Sequence, residues 1–333
     1  MELRKKAAGW GAMLVLLHIC LNTLGYTAPY GSTVQLPTPQ ELAALVVTME
    51  LGGTVTTPTP SPPSPSSTPT ATHTPTPSPS PTPTILETVI AGGIRVDNKT
   101  DYTIDVAQLL TEGPSIRLQK GQPQILIIHT HSSEAYAMDD FDRYTPSDDS
   151  RTQDLQYNII RIGDALTDAL RSYGLEVIHD REIYDYPSYT GSYTRTGTAI
   201  EQYLDKYPSI VMVIDVHRDA ISNGDVVYKT TAEGEGNPCA QTMFVVGSDA
   251  SGLHHPNWES NLKLALYLQA AVHSKHPTLQ RTVKLVSERY NQQLTHGSLI
   301  LEVGSNGNTL REALTAINLF AEAAGPALAA LVE

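Results

Sequence analysis

The sequence predicts an α/β domain, three layers built around a mixed central sheet, and three observations carry that reading. Apolar runs of strand length, Gln124-Ile-Leu-Ile-Ile128, Ile210–Val216 and Ser298–Leu301, alternate with stretches of helical periodicity. Runs that are apolar throughout indicate strands buried on both faces. Each run also leads directly into polar residues: His129-Thr-His131-Ser-Ser-Glu134, His217-Arg218-Asp219 and Glu302-Val-Gly-Ser-Asn306. In open α/β sheets the chemistry gathers outside the carboxyl ends of the strands, so these strand ends are the candidate site.

The chain begins with Arg4, Lys5 and Lys6 before a mostly apolar run from Ala7 to Gly25, close to spanning length. Positive charge stays cytoplasmic. Residues 1–30 are therefore expected to be a signal or anchor segment, retained as a single pass through the cell membrane with the rest of the chain outside the cytoplasm. Secretion after cleavage is the alternative. Residues 31–53 form a short juxtamembrane segment, and 54–84 hold Thr, Pro, Ser and almost nothing else, the composition of a disordered linker. In a polyproline II conformation, at about 3.1 Å per residue, that linker reaches on the order of 100 Å.

From residue 85 the composition is globular. Residues 85–120 are expected to be a lead-in packed on the catalytic domain, with strand-like pieces at 93–97 and 102–106, and 121–333 to be that domain. Leu155, Ile159, Ile162, Leu166, Ala169 and Tyr173 recur in steps of four and three, which predicts a helix with one face on the sheet. Gly174 suits its left-handed C-cap and Leu175–Ile178 the next strand, a βαβ unit. A helix is expected over 198–207, ended by Pro208. Strands at 226–230 and 242–246 are expected to pair across the Gly-rich segment between them. Helices at 258–272 and 309–331 with a strand at 298–303 complete the domain.

The net charge is -13, and its excess acid lies after the linker in a domain with no cluster of Lys or Arg, a poor match to nucleic-acid phosphates, so nucleic-acid binding is set aside. Two cysteines exclude a disulfide framework and a thiolate zinc knuckle. No His-Glu-x-x-His occurs, which argues against a zincin, and Ser260-x-x-Lys263 falls on a predicted helix without the motifs that accompany a nucleophilic serine.

Zinc hydrolysis needs about three protein ligands, a position for water and a base. His131 and Glu134, three apart, can share one Zn2+, and His217 supplies the third ligand. His129 and His131 read as lying on one side of an extended strand, so either imidazole can bind metal while the other orients a ligand or contacts substrate. Asp215 shares a strand face with His217 and can hold its second nitrogen. For Asp215 and Asp219, a strand-end cap or an ion pair with Arg218 is an equal reading. Glu302 is a carboxylate in an otherwise apolar strand and is the proposed general base. Asn291 and Asn306 sit in polar segments open to two readings, substrate contact or plain turn and cap.

Taken together, Leu-Ile-Ile-His129-Thr-His131-Ser-Ser-Glu134-Ala-Tyr136, Ile-Asp215-Val-His217-Arg218-Asp219-Ala, Arg289-Tyr-Asn-Gln and Leu-Glu302-Val-Gly-Ser-Asn-Gly-Asn308-Thr resemble the stage II sporulation protein P family over roughly residues 90–330. The resemblance implies a zinc-dependent peptidoglycan hydrolase similar to N-acetylmuramoyl-L-alanine amidases, cutting the amide between the glycan's lactyl group and the stem peptide during engulfment of the forespore. It implies a membrane complex with the lytic transglycosylase stage II sporulation protein D. The order His-x-x-Glu, His, Glu is also similar to that of zinc carboxypeptidases, which supports His131, Glu134 and His217 as ligands and Glu302 as base. Carboxypeptidase or endopeptidase action on wall peptides is one alternative, and a non-catalytic peptidoglycan-binding scaffold is another.

Overall fold

The computed structural model describes residues 89–91, 93–223, 225–234 and 236–333. The expected anchor, juxtamembrane segment and linker lie outside the described residues. Among the described residues no helix is long and apolar enough to cross a membrane.

In chain order the elements are β1 (Val89–Ala91), β2 (Ile94–Asn98), α1 (Val106–Glu112), β3 (Ile125–Ile128), α2 (Ile159–Ser172), β4 (Val177–His179), α3 (Ser192–Lys206) and β5 (Met212–Asp219). Then come β6 (Ser222–Asn223), β7 (Val226–Val227), β8 (Ala232–Gly234), β9 (Asn237–Cys239), β10 (Thr242–Val246), α4 (Trp258–Lys275), β11 (Val283–Leu285), a 3-10 turn (Gln292–Leu294), β12 (Gly297–Ser305) and α5 (Leu310–Ala329). Eight strands form one sheet in the order β1-β2-β11-β10-β12-β5-β3-β4. Strands β12, β5, β3 and β4 are mutually parallel. Strand β10 runs antiparallel to β12, and β11 and β2 follow β10, so the sheet is mixed.

Alternation along the strands sorts side chains between two faces. Ile125, Ile127, Met212, Ile214, Val216, Leu299, Leu301 and Val303 pack with Ile162 and Leu166 of α2 and Phe320 of α5 in the main core. Burying each such side chain contributes roughly 1.5–3 kcal/mol, so this face anchors the strands. On the opposite face Leu126, Ile128 and Val213 meet Ile200 of α3. Beyond α3 that face carries a smaller apolar cluster of Met243, Val245 and Ile300. Asp215, His217 and Glu302 stand on this second face.

Several boundaries differ from expectation. Helix α2 starts at Ile159 rather than Leu155, because extended Asn158 caps it and its side chain accepts from the Ile160 N–H at 3.1 Å. Residues 102–106 are no strand: Asp105 accepts from the Gln108 N–H at 2.9 Å and starts α1. Helix α3 begins at Ser192, six residues before the expected start, after a left-handed Gly191. Segments 226–230 and 242–246 do not pair. Val226 and Val227 are exposed and pair with Ser222–Asn223 in a small hairpin, whereas the wholly buried β10 needs both faces covered and enters the main sheet. The short β11 has only three residues, too few to show a period.

Candidate active site

Strands β5 and β12 set the site by register. Asp215 lies opposite Ile300 and His217 opposite Glu302, while Met243 of β10 flanks Glu302 on its other side. Residues two apart on a strand share a face, so Asp215, His217 and Glu302 form one compact group. Beyond Ile128 the chain turns. The Thr130 N–H and hydroxyl donate to the Asp215 carboxylate at 2.8 and 2.6 Å, and the Glu134 N–H donates to the His131 carbonyl at 3.0 Å. This turn brings His131 and Glu134 to β5. With His217, Arg218, Asp219 and Glu302 they line one cavity of about 290 Å³.

The Glu134 Oε2 lies 3.4 Å from His217 Nδ1, and Asp215 Oδ1 lies 2.9 Å from His217 Nε2. The Nε2 direction misses Asp215, so this nitrogen makes no hydrogen bond. Burial disfavours a charged His217, but the Asp215 and Glu134 carboxylates outweigh it and hold its pKa well above the ordinary value. Burial likewise disfavours an ionised Glu134; the His217 and Arg218 charges prevail and bring its pKa down to about 2. Arg218 fixes that carboxylate in place. Its N–H donates to Glu134 Oε2 at 3.1 Å, its Nε to the Ala135 carbonyl and its Nη2 to the Ser150 carbonyl, both at 3.0 Å. Glu302 behaves in the opposite sense. Burial, opposed by His217 and aided by Glu134, pushes its pKa up to about 8, and its Oε2 has no hydrogen-bond partner. Burial and the His217 charge lower His131 to about 4. Asp219 pairs with Arg281 at 2.7 Å.

Three sequence-derived candidates stand elsewhere. His129 is wholly buried behind the sheet, its Nδ1 2.9 Å from the Val216 carbonyl and its Nε2 2.8 Å from His179 Nε2, so it cannot touch substrate. The two-residue period failed there because the strand ends at Ile128. Asn291, in the left-handed conformation, donates to the Tyr193 carbonyl at 2.7 Å and braces the start of α3. Asn306 lines a different cavity, its N–H donating to the Asp219 carbonyl at 2.9 Å.

The fold also delivers groups to the site that no strand-end motif announces. The Tyr189 ring stacks on His131 with centroids 4.4 Å apart, its hydroxyl 2.9 Å from His131 Nε2. Tyr193, Tyr290 and Lys284 line the cavity. Buried Asp185 accepts from the Ser133 N–H and hydroxyl at 3.0 and 2.7 Å and from Arg151 at 2.6 Å, holding the turn that carries Glu134. The signal available was the run Tyr184, Tyr186, Tyr189, Tyr193, dense in phenols between a strand and a helix.

For a zinc ion the donor types are suitable: two imidazoles and a carboxylate in one cavity, with Glu302 Oε2 and His217 Nε2 as buried polar atoms the protein leaves unsatisfied. Glu134 faces His217, whereas the His131 ring nitrogens face the Tyr189 hydroxyl at 2.9 Å and the Ser192 hydroxyl at 3.4 Å. Among the described residues no group of three His, Cys, Asp or Glu side chains is set to hold a metal ion.

Fold and site thus define a mixed α/β protein with a buried imidazole and carboxylate cavity where its parallel strands end. The family model of stage II sporulation protein P matches residues 73–325, and the chain belongs to that family. It is similar to the stage II sporulation protein P of Bacillus subtilis (strain 168), 29% identical over 209 residues that make up 60% of this chain and 49% of the relative. The chain therefore spans about half the length of that curated relative. Solved structures with some likeness include the N-acetylmuramoyl-L-alanine amidase AmiC2 of Nostoc punctiforme (13% identity, 63% of this chain and 96% of the other, TM-score 0.37). Another is the CwlD amidase from Clostridioides difficile in complex with the GerS lipoprotein (15% identity, 61% and 96%, TM-score 0.36). Likeness at that level carries no argument about chemistry.

Proposed function

We propose that this chain is a zinc-dependent peptidoglycan hydrolase that cuts the amide between N-acetylmuramic acid and the L-alanine of the stem peptide during engulfment in sporulation. One observation carries the reading. Glu302, half-buried with one buried carboxylate oxygen that has no hydrogen-bond partner, stands in register beside His217 in a cavity shared with His131 and Glu134. A zinc ion held by His131, Glu134 and His217 would supply Lewis-acid activation of water and of the amide carbonyl. Glu302 takes the proton of the attacking water and returns it to the leaving amine. Burial raises its pKa in the metal-free chain, so this carboxylate can hold a proton as well as accept one. The Arg218 N–H orients Glu134, and Asp215 supplies a negative charge 2.9 Å from His217. The reading extends to an outward-facing, membrane-anchored chain whose Pro-rich linker reaches the wall, with stage II sporulation protein D as partner.

The test is digestion of purified peptidoglycan by the chain with zinc. Mass spectrometry should find released stem peptides that begin with free L-alanine, and intact peptidoglycan sinks the proposal. Shortened or uncrosslinked peptides still attached to glycan would assign the same centre to carboxypeptidase or endopeptidase action. Metal analysis of the purified chain should find zinc, lost in His217→Ala.

A further inference from the structure

The cavity continues away from Glu302 along the sheet, and register shows what lies at its far end. Lys284 of β11 is opposite Val245 of β10, Val245 is opposite Ile300 of β12, and Ile300 is opposite Asp215 of β5. These four make one row across the sheet. The next row is Met243, Glu302 and His217. Lys284 is thus two strand spacings and one two-residue step from Glu302, about 12 Å between Cα atoms. Met243, Val245 and Ile300 floor the space between them, with Val286 and Tyr290 packed against that floor.

Lys284 is half-buried in the cavity wall, between Val283 and Leu285, which point into the main core on the other face. The charges around it are already engaged. Asp97, its row neighbour on β2, pairs with Lys99 at 2.8 Å, and Arg281 pairs with Asp219 at 2.7 Å. Lys284 has no ion pair among the described residues. A half-buried ammonium without a counter-charge, at one end of an apolar floor whose other end holds the reacting groups, is set to receive an anion from the ligand that fills the cavity.

We propose that Lys284 recognises a free carboxylate on the peptide side of the substrate, about two residues from the amide that is cut. The inference rests on the reading that this cavity hydrolyses a stem-peptide amide. The distance suits it, since two extended residues span about 7 Å and the lysine stem covers much of the remainder. Substrates with a carboxamide at that position lose the ion pair and leave the ammonium uncompensated.

The experiment measures binding, by calorimetry, of two muropeptides that differ only in a free carboxylate or a carboxamide at the second stem residue. It uses the chain carrying Glu302→Gln, so that turnover does not intervene. The carboxylate form should bind about tenfold more tightly. Lys284→Met and Lys284→Gln in that background should bring the ratio close to one, and Lys284→Arg should preserve it. A ratio near one in the parent, a ratio retained in Lys284→Met and Lys284→Gln, or no binding of either compound overturns the inference. Hydrolysis by the chain with Glu302 intact is scored separately: its absence sinks the proposed function, while the binding ratio still decides the lysine.

Discussion

Glu302 combines a gain for chemistry with a loss of stability. Its ordinary pKa of 4.5 is pushed to about 8 by burial, so the unfolded chain releases a proton that the folded chain keeps. The associated stability is full below pH 4.5 and is lost as pH rises through 8, by at most ~1.4 kcal/mol per pH unit. Glu302→Gln should lower the hydrolytic rate by about 10²- to 10⁴-fold. It should also raise the urea midpoint of the chelator-treated protein at pH 8 while leaving it nearly unchanged at pH 4.5. An equal effect at both pH values would separate Glu302 from the burial argument. At this scale the sequence was legible where a charged or imidazole side chain interrupts an apolar strand, which found His217 and Glu302. His131 and Glu134 were legible from their spacing just past a strand. His129 was misread for the same reason, because parity means nothing once the strand has ended. Tyr189 and Lys284 reach the site only through tertiary placement, and no local pattern announces that.

Helices and strands were recognised where the apolar period is long, and their ends were missed where side chains rather than periodicity fix them. Helix α5 is a case in which both agree. Thr309 accepts from the Glu312 N–H at 3.3 Å, and the Glu312 carboxylate accepts from the Thr309 N–H at 3.1 Å, a reciprocal cap. Thr309→Ala should cost about 1 kcal/mol in urea denaturation. The turn after β3 has no period to read. It is held by Asp185, whose side chain is fully buried and satisfies Ser133 twice and Arg151 once. Asp185→Ala leaves both Ser133 donors without their acceptor and leaves Arg151, only 18% exposed, with its longer contacts to Glu134 at 3.8 Å and the Ser133 hydroxyl at 3.3 Å, and should cost roughly 3 kcal/mol. Because the same turn carries Glu134, metal affinity should fall with it, whereas Thr309→Ala should leave metal affinity as it is. Equal loss of affinity in both variants would make the turn's role purely one of general stability.

Across the whole molecule the buried titratable groups oppose one another, and their balance sets where the metal-free chain is most stable. Burial lowers His129 to about 3, and His131, His179 and His255 to about 4, from an ordinary 6.5. For each, the unfolded chain takes up a proton below pH 6.5 that the folded chain refuses, so stability present above 6.5 is lost as pH falls towards 4. Glu302 and His217, both raised, act in reverse: the folded chain keeps protons that the unfolded chain gives up as pH rises. Among the described residues, four histidines outweigh one glutamate between pH 4.5 and 6.5, and from 6.5 to about 8 the raised pair dominates, joined at higher pH by the raised Cys239 thiol and buried tyrosines. The urea midpoint of the chelator-treated protein should therefore peak near pH 6.5 and fall on both sides. His255 separates this balance from general acid sensitivity. It is fully buried and neither ring nitrogen has a hydrogen-bond partner, so His255→Leu removes an uptake site without breaking a hydrogen bond. That variant should lose less stability between pH 6.5 and 5, by up to ~1.4 kcal/mol per unit, and should match or exceed the parent at pH 7. A variant whose acid limb runs parallel to the parent's would show that His255 takes up its proton within the folded chain, and would remove it from the groups that set the acid limit.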